Sequence, residues 1–227
     1  MSFNIAQNRA SILSQIAAAC ERVGRDPAEV TLVAVSKTVG VGEVAEALEA
    51  GIHDFGENRT SLFKEKQEAF PDERWHFIGS IQTNKIKEFV GKAALVHSVS
   101  SQRALAAIAR RAQLLGVVQK LLIEVNVSGE ESKDGISPDA LGGLLEAAAG
   151  LEGIEVRGFM TMAPQGDETE IRAAFRGLRE LRDALAASYR DCECIQLDEL
   201  SMGMSDDFPI AVEEGATIVR IGRSIWL

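Results

Sequence analysis

Eight short apolar segments recur along the chain, and helix-like stretches separate each one from the next. This alternation predicts repeated strand–helix units, which form parallel sheets. Eight such units with right-handed crossovers close into a (β/α)8 barrel, although an open doubly wound sheet with fewer strands is also compatible with the pattern. The predicted strands cover residues 31–36, 52–55, 75–78, 95–99, 120–127, 154–160, 195–200 and 217–221.

Two of the predicted helices carry clear sequence signals. The helix after the sixth strand starts at a capping box, with Asp167 as the cap and Glu170 three residues later. Another helix precedes the first strand, and its apolar stripe consists of Ile5, Ile12, Ile16, Cys20 and Val23. We therefore expect an α/β protein with one domain, residues 1–227, which is a TIM-type barrel with an extra N-terminal helix.

The barrel prediction also locates a binding site. Barrels of this kind bind ligands at the C-terminal ends of their strands, and the loops after strands seven and eight often hold a phosphate group. Ser205 follows the seventh predicted strand, Gly222 follows the eighth, and Lys37 follows the first. Because the first and eighth strands become neighbours when a barrel closes, we expect these three residues to meet at one mouth.

Lys37 stands at the end of a β-branched, apolar run that predicts a buried strand. Desolvation of an amine at such a position favours the neutral form, which attacks an aldehyde to give a Schiff base. The hydroxyl group of Ser205, the amides around Gly222 and the nearby guanidinium groups are suited to binding a phosphate. A lysine beside a phosphate site indicates pyridoxal 5′-phosphate as the cofactor.

Arg220 lies on the eighth predicted strand. A guanidinium group stays protonated and can only donate hydrogen bonds. If it faces the pyridine nitrogen of the cofactor, that nitrogen remains unprotonated and the ring is a poor sink for carbanion charge. Such a site binds the cofactor without favouring amino-acid chemistry on it.

Other polar residues allow more than one interpretation. His53, His76 and His97 lie on successive predicted strands, but they lack the HxH and HExxH spacings of zinc sites. Histidines in such positions are more often core groups, and His76 is also placed to border the cofactor. Asn58 follows the second strand, where the N-cap of the next helix is its usual role and a hydrogen bond to a ligand oxygen is the alternative.

Charge and hydropathy limit the partners of the protein. Lysine and arginine number 24 against 34 aspartate and glutamate, which gives a formal net charge of −10. No basic run interleaved with aromatic residues occurs, so a nucleic-acid partner is disfavoured. The chain has neither a signal-peptide pattern nor an eighteen-residue apolar run. We expect a soluble, cytoplasmic monomer or weak dimer with no membrane partner and no metal ion.

Motifs spread over nearly the whole chain carry a family resemblance. They are VAVSKT at 33–38, FGEN at 55–58, WHFIGSIQTNK at 75–85, VNVSGEESKDG at 125–135, LSMGMS at 200–205 and VRIG at 219–222. In this order they resemble the pyridoxal phosphate homeostasis proteins, which are single-domain relatives of the barrel of bacterial alanine racemase. The resemblance implies that Lys37 carries the cofactor as a Schiff base, that Arg220 meets the pyridine nitrogen, and that Ser205 with the Gly222 region holds the phosphate.

The resemblance also implies a function, which is the binding and intracellular supply of pyridoxal phosphate without established turnover. Apo forms of enzymes that use this cofactor are the implied recipients. One alternative is an amino-acid racemase or a related small enzyme, but racemisation needs a second base. In alanine racemases that base is a tyrosine from another domain, whereas Tyr189, the only tyrosine here, is predicted at the opposite end of the barrel. Another alternative is a hydrolase that uses the histidines and no cofactor.

At two positions the chain departs from the family pattern. Arg223 stands where a small hydroxyl residue is usual, so we expect an ionic contact to the phosphate at this point. The alternative is that Arg223 points into solvent or towards the acidic pair Asp206 and Asp207. Arg59 stands where a tyrosine often follows the FGEN motif. No role of that tyrosine is therefore transferred to this chain.

Overall fold

The computed structural model describes residues 4–130 and 134–227, so residues 131–133 of the VNVSGEESKDG motif lie outside the described residues. Within these ranges, eight parallel strands pair in sequence order and close into a barrel. The predicted (β/α)8 barrel is therefore confirmed. The strands are β1 (Thr31–Val35), β2 (Asp54–Glu57), β3 (Arg74–Phe77), β4 (Leu95–Val99), β5 (Gln119–Glu124), β6 (Ile154–Met160), β7 (Ile195–Ser201) and β8 (Ile218–Ile221).

Helices alternate with the strands, and one of them precedes β1 as predicted. After β3 the connection contains a 3-10 helix, Thr83–Glu88, in place of an α-helix. No helix in the described part of the chain is both long and apolar enough to span a bilayer. The α-helices are α1 (Ile5–Val23), α2 (Val41–Glu49), α3 (Thr60–Ala69), α4 (Gln102–Leu115), α5 (Leu141–Ala149), α6 (Glu168–Ala186), α7 (Phe208–Glu213) and α8 (Arg223–Trp226).

Both helices with clear sequence signals form as predicted, but one residue of the predicted apolar stripe of α1 is not buried. Asp167 and Glu170 make both hydrogen bonds of a capping box at the start of α6, at 3.0 and 3.2 Å. The predicted stripe residues that α1 buries are Ile5, Ile12, Ile16 and Cys20. Val23 is exposed because it is the last helical residue, and Gly24 turns the chain away in the left-handed conformation with φ 68°.

Strand β2 begins at Asp54 and ends at Glu57, two residues later at each end than the predicted span 52–55. A carboxylate is rarely buried without a partner, and the predicted strand stops before Glu57. In the structure, Glu57 and Lys66 of α3 are both almost fully buried and form an ion pair. The lysine supplies the charge that allows this strand to carry a carboxylate into the interior.

Pairing of the first and last strands closes the barrel. Val33 lies opposite Arg220 in this parallel ladder. Beyond the end of the ladder, the buried indole of Trp226 donates a hydrogen bond of 2.7 Å to the carbonyl oxygen of Val35. The contact between the two chain segments thus continues up to the loop that contains Lys37.

Gly158 allows β6 to approach β7 closely. Its φ is 145°, and the register of the β6–β7 ladder shifts between Val156 and Gly158. A Cβ atom at this position would lie 1.9 Å from the carbonyl oxygen of Glu199. Glycine is therefore required here both for its backbone conformation and for the space.

We expect Gly158→Ala to lower the free energy of unfolding by at least about 2 kcal/mol, because the methyl group collides with backbone and the φ angle becomes strained. Gly143→Ala is the matched control. Gly143 lies inside α5, and a Cβ atom there would have no neighbour within 4 Å. The control should be neutral or more stable by up to about 1 kcal/mol. Urea unfolding of both variants measures the difference, and equal stability would contradict the role of Gly158.

Candidate functional site

A cavity of about 750 Å³ opens at the C-terminal ends of the strands. Its lining comes from loops that follow strands at both ends of the sequence, as the barrel prediction requires. All the residues predicted to bind the cofactor lie on this lining, namely Lys37, Asn58, Ser205, Arg220, Gly222 and Arg223. Closure of the barrel therefore brings the predicted site residues to one place, and the contact that each makes with a ligand stays a prediction.

Lys37 lies just beyond β1 and is exposed on the cavity lining. The residue before it, Ser36, is held in place by two hydrogen bonds. The Ser36 hydroxyl donates to Glu57 at 2.9 Å, and Lys66 donates to the Ser36 carbonyl oxygen at 2.6 Å. The buried ion pair thus fixes the backbone next to Lys37. The sequence predicts a desolvated amine at Lys37, whereas in the structure this residue is exposed to the cavity.

Arg220 forms the buried cationic base of the cavity. It is 5% exposed, and it donates to the hydroxyl oxygen of Ser201 at 2.7 Å and to the carbonyl oxygen of Thr161 at 3.1 Å. Burial lowers the pKa of Arg220 to about 10, against the opposing effect of Glu124 and Asp207. The guanidinium group remains charged at neutral pH, and its planar fork is held in a fixed orientation.

Two buried carboxyl groups lie on the same lining and were not among the predicted site residues. Burial, and then the nearby charge of Asp134, raise the pKa of Glu124 to about 7, although Arg220 acts in the opposite direction. Burial also raises the pKa of Asp207, whose carboxylate accepts a hydrogen bond of 2.6 Å from the amide of Met204. The one sequence signal for Glu124 is a charged residue that interrupts the apolar run 121–125 at a strand end.

The loops that follow β7 and β8 meet at the predicted phosphate region. The amide of Ser224 lies 3.5 Å from the hydroxyl oxygen of Ser205, and Gly222 lies beside them on the lining. Arg223 forms an ion pair with Asp206, and both side chains are mostly exposed. The structure therefore gives Arg223 a carboxylate partner at the rim of the cavity.

The structure also decides between the alternatives for Asn58 and the histidines. The N-cap residue of α3 is Arg59, so the capping role considered for Asn58 is wrong. His53 faces Glu73 on the exposed end of the barrel, whereas His76 and His97 contact each other inside it. His76 therefore lies in the barrel interior and not on the cavity lining. Among the described residues, no group of three histidine, cysteine or acidic side chains is placed to hold a metal ion.

Comparisons with known proteins show the family to which this chain belongs. The family described as alanine racemase, N-terminal domain, matches residues 8–227. A pyridoxal phosphate homeostasis protein of Aquifex aeolicus is 44% identical over 226 residues, which cover 98% of this chain and 97% of the relative. Both likenesses therefore extend over nearly the full length of the chain.

Two solved structures place the fold among known barrels. PipY of Synechococcus elongatus, with PLP bound, is 34% identical with a TM-score of 0.85, and the match covers 99% of this chain and all of PipY. Alanine racemase of Clostridium difficile has a TM-score of 0.73 at 15% identity, over 94% of this chain and 58% of the racemase. The second likeness concerns the fold alone.

We expect Glu124→Gln to change the dependence of stability on pH. A carboxyl group whose pKa is raised in the folded protein stabilises it most below the unfolded value of 4.5, and this contribution is lost as the pH rises through about 7. Between pH 5 and pH 8, the variant should therefore gain stability relative to the parent, on the order of 2 kcal/mol. Urea unfolding at both pH values measures this gain.

The matched control is Glu65→Gln, which removes an exposed carboxyl group from α3. Its stability difference from the parent should be similar at both pH values. A Glu124→Gln variant that behaves in the same way as this control would show that burial does not perturb Glu124.

Proposed function

We propose, from the premise that this chain belongs to the pyridoxal phosphate homeostasis proteins, that it binds pyridoxal 5′-phosphate in the cavity at the strand ends and serves its supply within the cell. The observation that carries the proposal is the meeting of an accessible lysine, a buried arginine and the Ser205–Gly222 region on one lining. These groups fit an aldehyde, a ring nitrogen and a phosphate respectively. PipY, which is similar over its full length, has PLP bound in its solved structure.

Lys37 is the residue that we propose to hold the cofactor covalently, as a Schiff base. Its amine is accessible from the cavity, while the backbone beside it is anchored through Ser36 to the buried Glu57–Lys66 pair. A flexible side chain on a fixed backbone allows the amine to approach the aldehyde without a change in the strand. When bound, the cofactor supplies the aldehyde carbon and an electron-withdrawing ring.

Arg220 is proposed to contact the pyridine nitrogen. Two of its nitrogens are already engaged by Ser201 and by the carbonyl oxygen of Thr161, and the group still lies on the cavity lining. Because a guanidinium group donates and does not release its proton at neutral pH, Arg220 would donate a hydrogen bond to the ring nitrogen and leave it unprotonated. The ring then withdraws electrons weakly, which suits storage of the cofactor better than turnover.

The phosphate is proposed to lie between the Ser205 hydroxyl group and the backbone around Gly222, with Arg223 at the rim. Asp206 is the present partner of Arg223, so a phosphate contact there requires the arginine to exchange one anion for another. Exposed ion pairs of this kind are weak, typically below about 1 kcal/mol, and the exchange is therefore not strongly opposed.

The mixture of acidic and basic residues on the lining supports reversible binding of the cofactor. The acidic residues on it are Glu124, Asp134, Asp206 and Asp207, and the basic residues are Lys37, Arg220 and Arg223. An anionic ligand is thus held by local contacts and not by a broadly positive field. Apo forms of enzymes that use the cofactor are the recipients that we propose.

A second base opposite the lysine is the group that a racemase needs. Tyr189, the only tyrosine of the chain, lies before β7 and lines a separate cavity of about 440 Å³ together with Arg190 and Asp198. It is therefore remote from Lys37 in the fold. This placement supports a protein that binds the cofactor without turning over amino acids.

Borohydride reduction after incubation with pyridoxal phosphate should fix the cofactor on Lys37, since borohydride makes a Schiff base permanent. Peptide mass spectrometry locates the adduct. Lys37→Ala should abolish it, whereas Lys85→Ala, which removes a lysine of the 3-10 helix Thr83–Glu88, should retain it. An adduct found mainly on another lysine in the parent protein would show that the assignment of Lys37 is wrong.

We expect no sustained racemisation of common amino acids by the loaded protein, because no tyrosine is among the described residues that line the cavity and Arg220 would leave the ring a weak electron sink. Incorporation of deuterium from solvent at the α-carbon, followed over many equivalents of substrate, measures this. The Lys37→Ala variant controls for contaminating racemase. Turnover that continues in the parent and disappears in the variant would contradict the proposed non-catalytic role.

A further inference from the structure

A line of polar side chains crosses the interior of the barrel from the base of the cavity. Arg220 donates to Ser201 at 2.7 Å, and the hydroxyl oxygen of Ser201 lies 2.8 Å from Nδ1 of His97. Nε2 of His97 lies 2.9 Å from Nδ1 of His76, whose Nε2 lies 3.1 Å from the carboxylate of Asp54. The five residues come from β8, β7, β4, β3 and β2, and none of them is more than 8% exposed.

The direction of the hydrogen bonds follows from the two ends of this line. The guanidinium group of Arg220 can only donate, so Ser201 accepts from it and has its own proton left for Nδ1 of His97. Burial above all holds the pKa of His97 well below its usual value, so the ring is neutral. Its single proton is then on Nε2 and points to His76.

His76 continues the same order. Its Nδ1 accepts from His97, so its proton lies on Nε2 and is donated to Asp54. Asp54 also accepts from Arg74, with one hydrogen bond of 2.7 Å. Burial acts to raise the pKa of Asp54, but the hydrogen bonds from His76 and Arg74 outweigh it, and the group is a carboxylate. The line thus begins at a permanent donor and ends at a permanent acceptor.

We propose that these side chains form a one-way hydrogen-bond chain, Arg220→Ser201→His97→His76→Asp54, that fixes the orientation of Arg220 from the opposite end of the barrel. Ser201, His97, His76 and Asp54 are then positioning residues for the ligand ring that Arg220 contacts, a consequence that rests on the proposed function. Apolar side chains would fill this space at a lower cost in free energy, because burial of polar groups removes their hydration. The row is tolerated because each member has a partner on both sides.

The direction of the hydrogen-bond chain is testable on the unliganded protein by long-range ¹H–¹⁵N correlation spectra, which report the protonated nitrogen of each imidazole ring. The protein has three histidines. Because the spectrum of His53→Gln lacks the signal of the exposed one, it identifies that signal. At neutral pH both remaining rings should carry a single proton, on Nε2. A proton on Nδ1 of either His76 or His97 would overturn the proposed direction. This measurement does not depend on pyridoxal phosphate.

The role of the chain is tested by Ser201→Ala, which removes the link between Arg220 and His97 and leaves both in place. The Nδ1 signal of His97 should shift, and the dissociation constant for pyridoxal phosphate, measured by absorbance, should rise roughly two- to tenfold, as for the loss of one hydrogen bond. His53→Gln should bind as the parent does. An unchanged affinity in Ser201→Ala would overturn the positioning role, whereas failure of the parent to bind the cofactor would overturn the proposed function.

Discussion

The site depends on the pairing of the first strand with the last. The β1–β8 ladder is the one contact that turns a row of strands into a closed barrel, and it sets Val33 beside Arg220. Without it, Lys37 would lie at one edge of a sheet and the residues after β7 and β8 at the other. The hydrogen bond from Trp226 to Val35 extends this pairing to the loop that contains the lysine. Fold and site are therefore consequences of the same closure.

Much of this arrangement follows from local sequence patterns. Apolar runs of strand length and the spacing of α1 and α6 predict the order of elements, because strand and helix periods are properties of neighbouring residues. The barrel rule then places Lys37, Ser205 and Gly222 at one mouth without knowledge of any contact between them. Those predictions needed only the position of each residue relative to the end of its strand.

What the sequence could not predict depends on partners that are distant in the chain. Burial of Glu57 in a strand requires the ion pair with Lys66, and the perturbed pKa of Glu124 arises from burial and from Asp134. The interior line through His97 joins opposite sides of the barrel, and no spacing of the histidines indicates it.

Closure by the last strand also has a consequence for synthesis of the protein. The chain emerges from the ribosome with its N-terminal part first, so the edge of β1 has no β8 partner until all seven other strands have been made. An unpaired strand edge invites pairing with other chains. Helix α1 shares the delay, because it packs against α7 and α8. The interval before closure is therefore when the nascent chain is most vulnerable to aggregation, and it lengthens when translation slows before β8 is made.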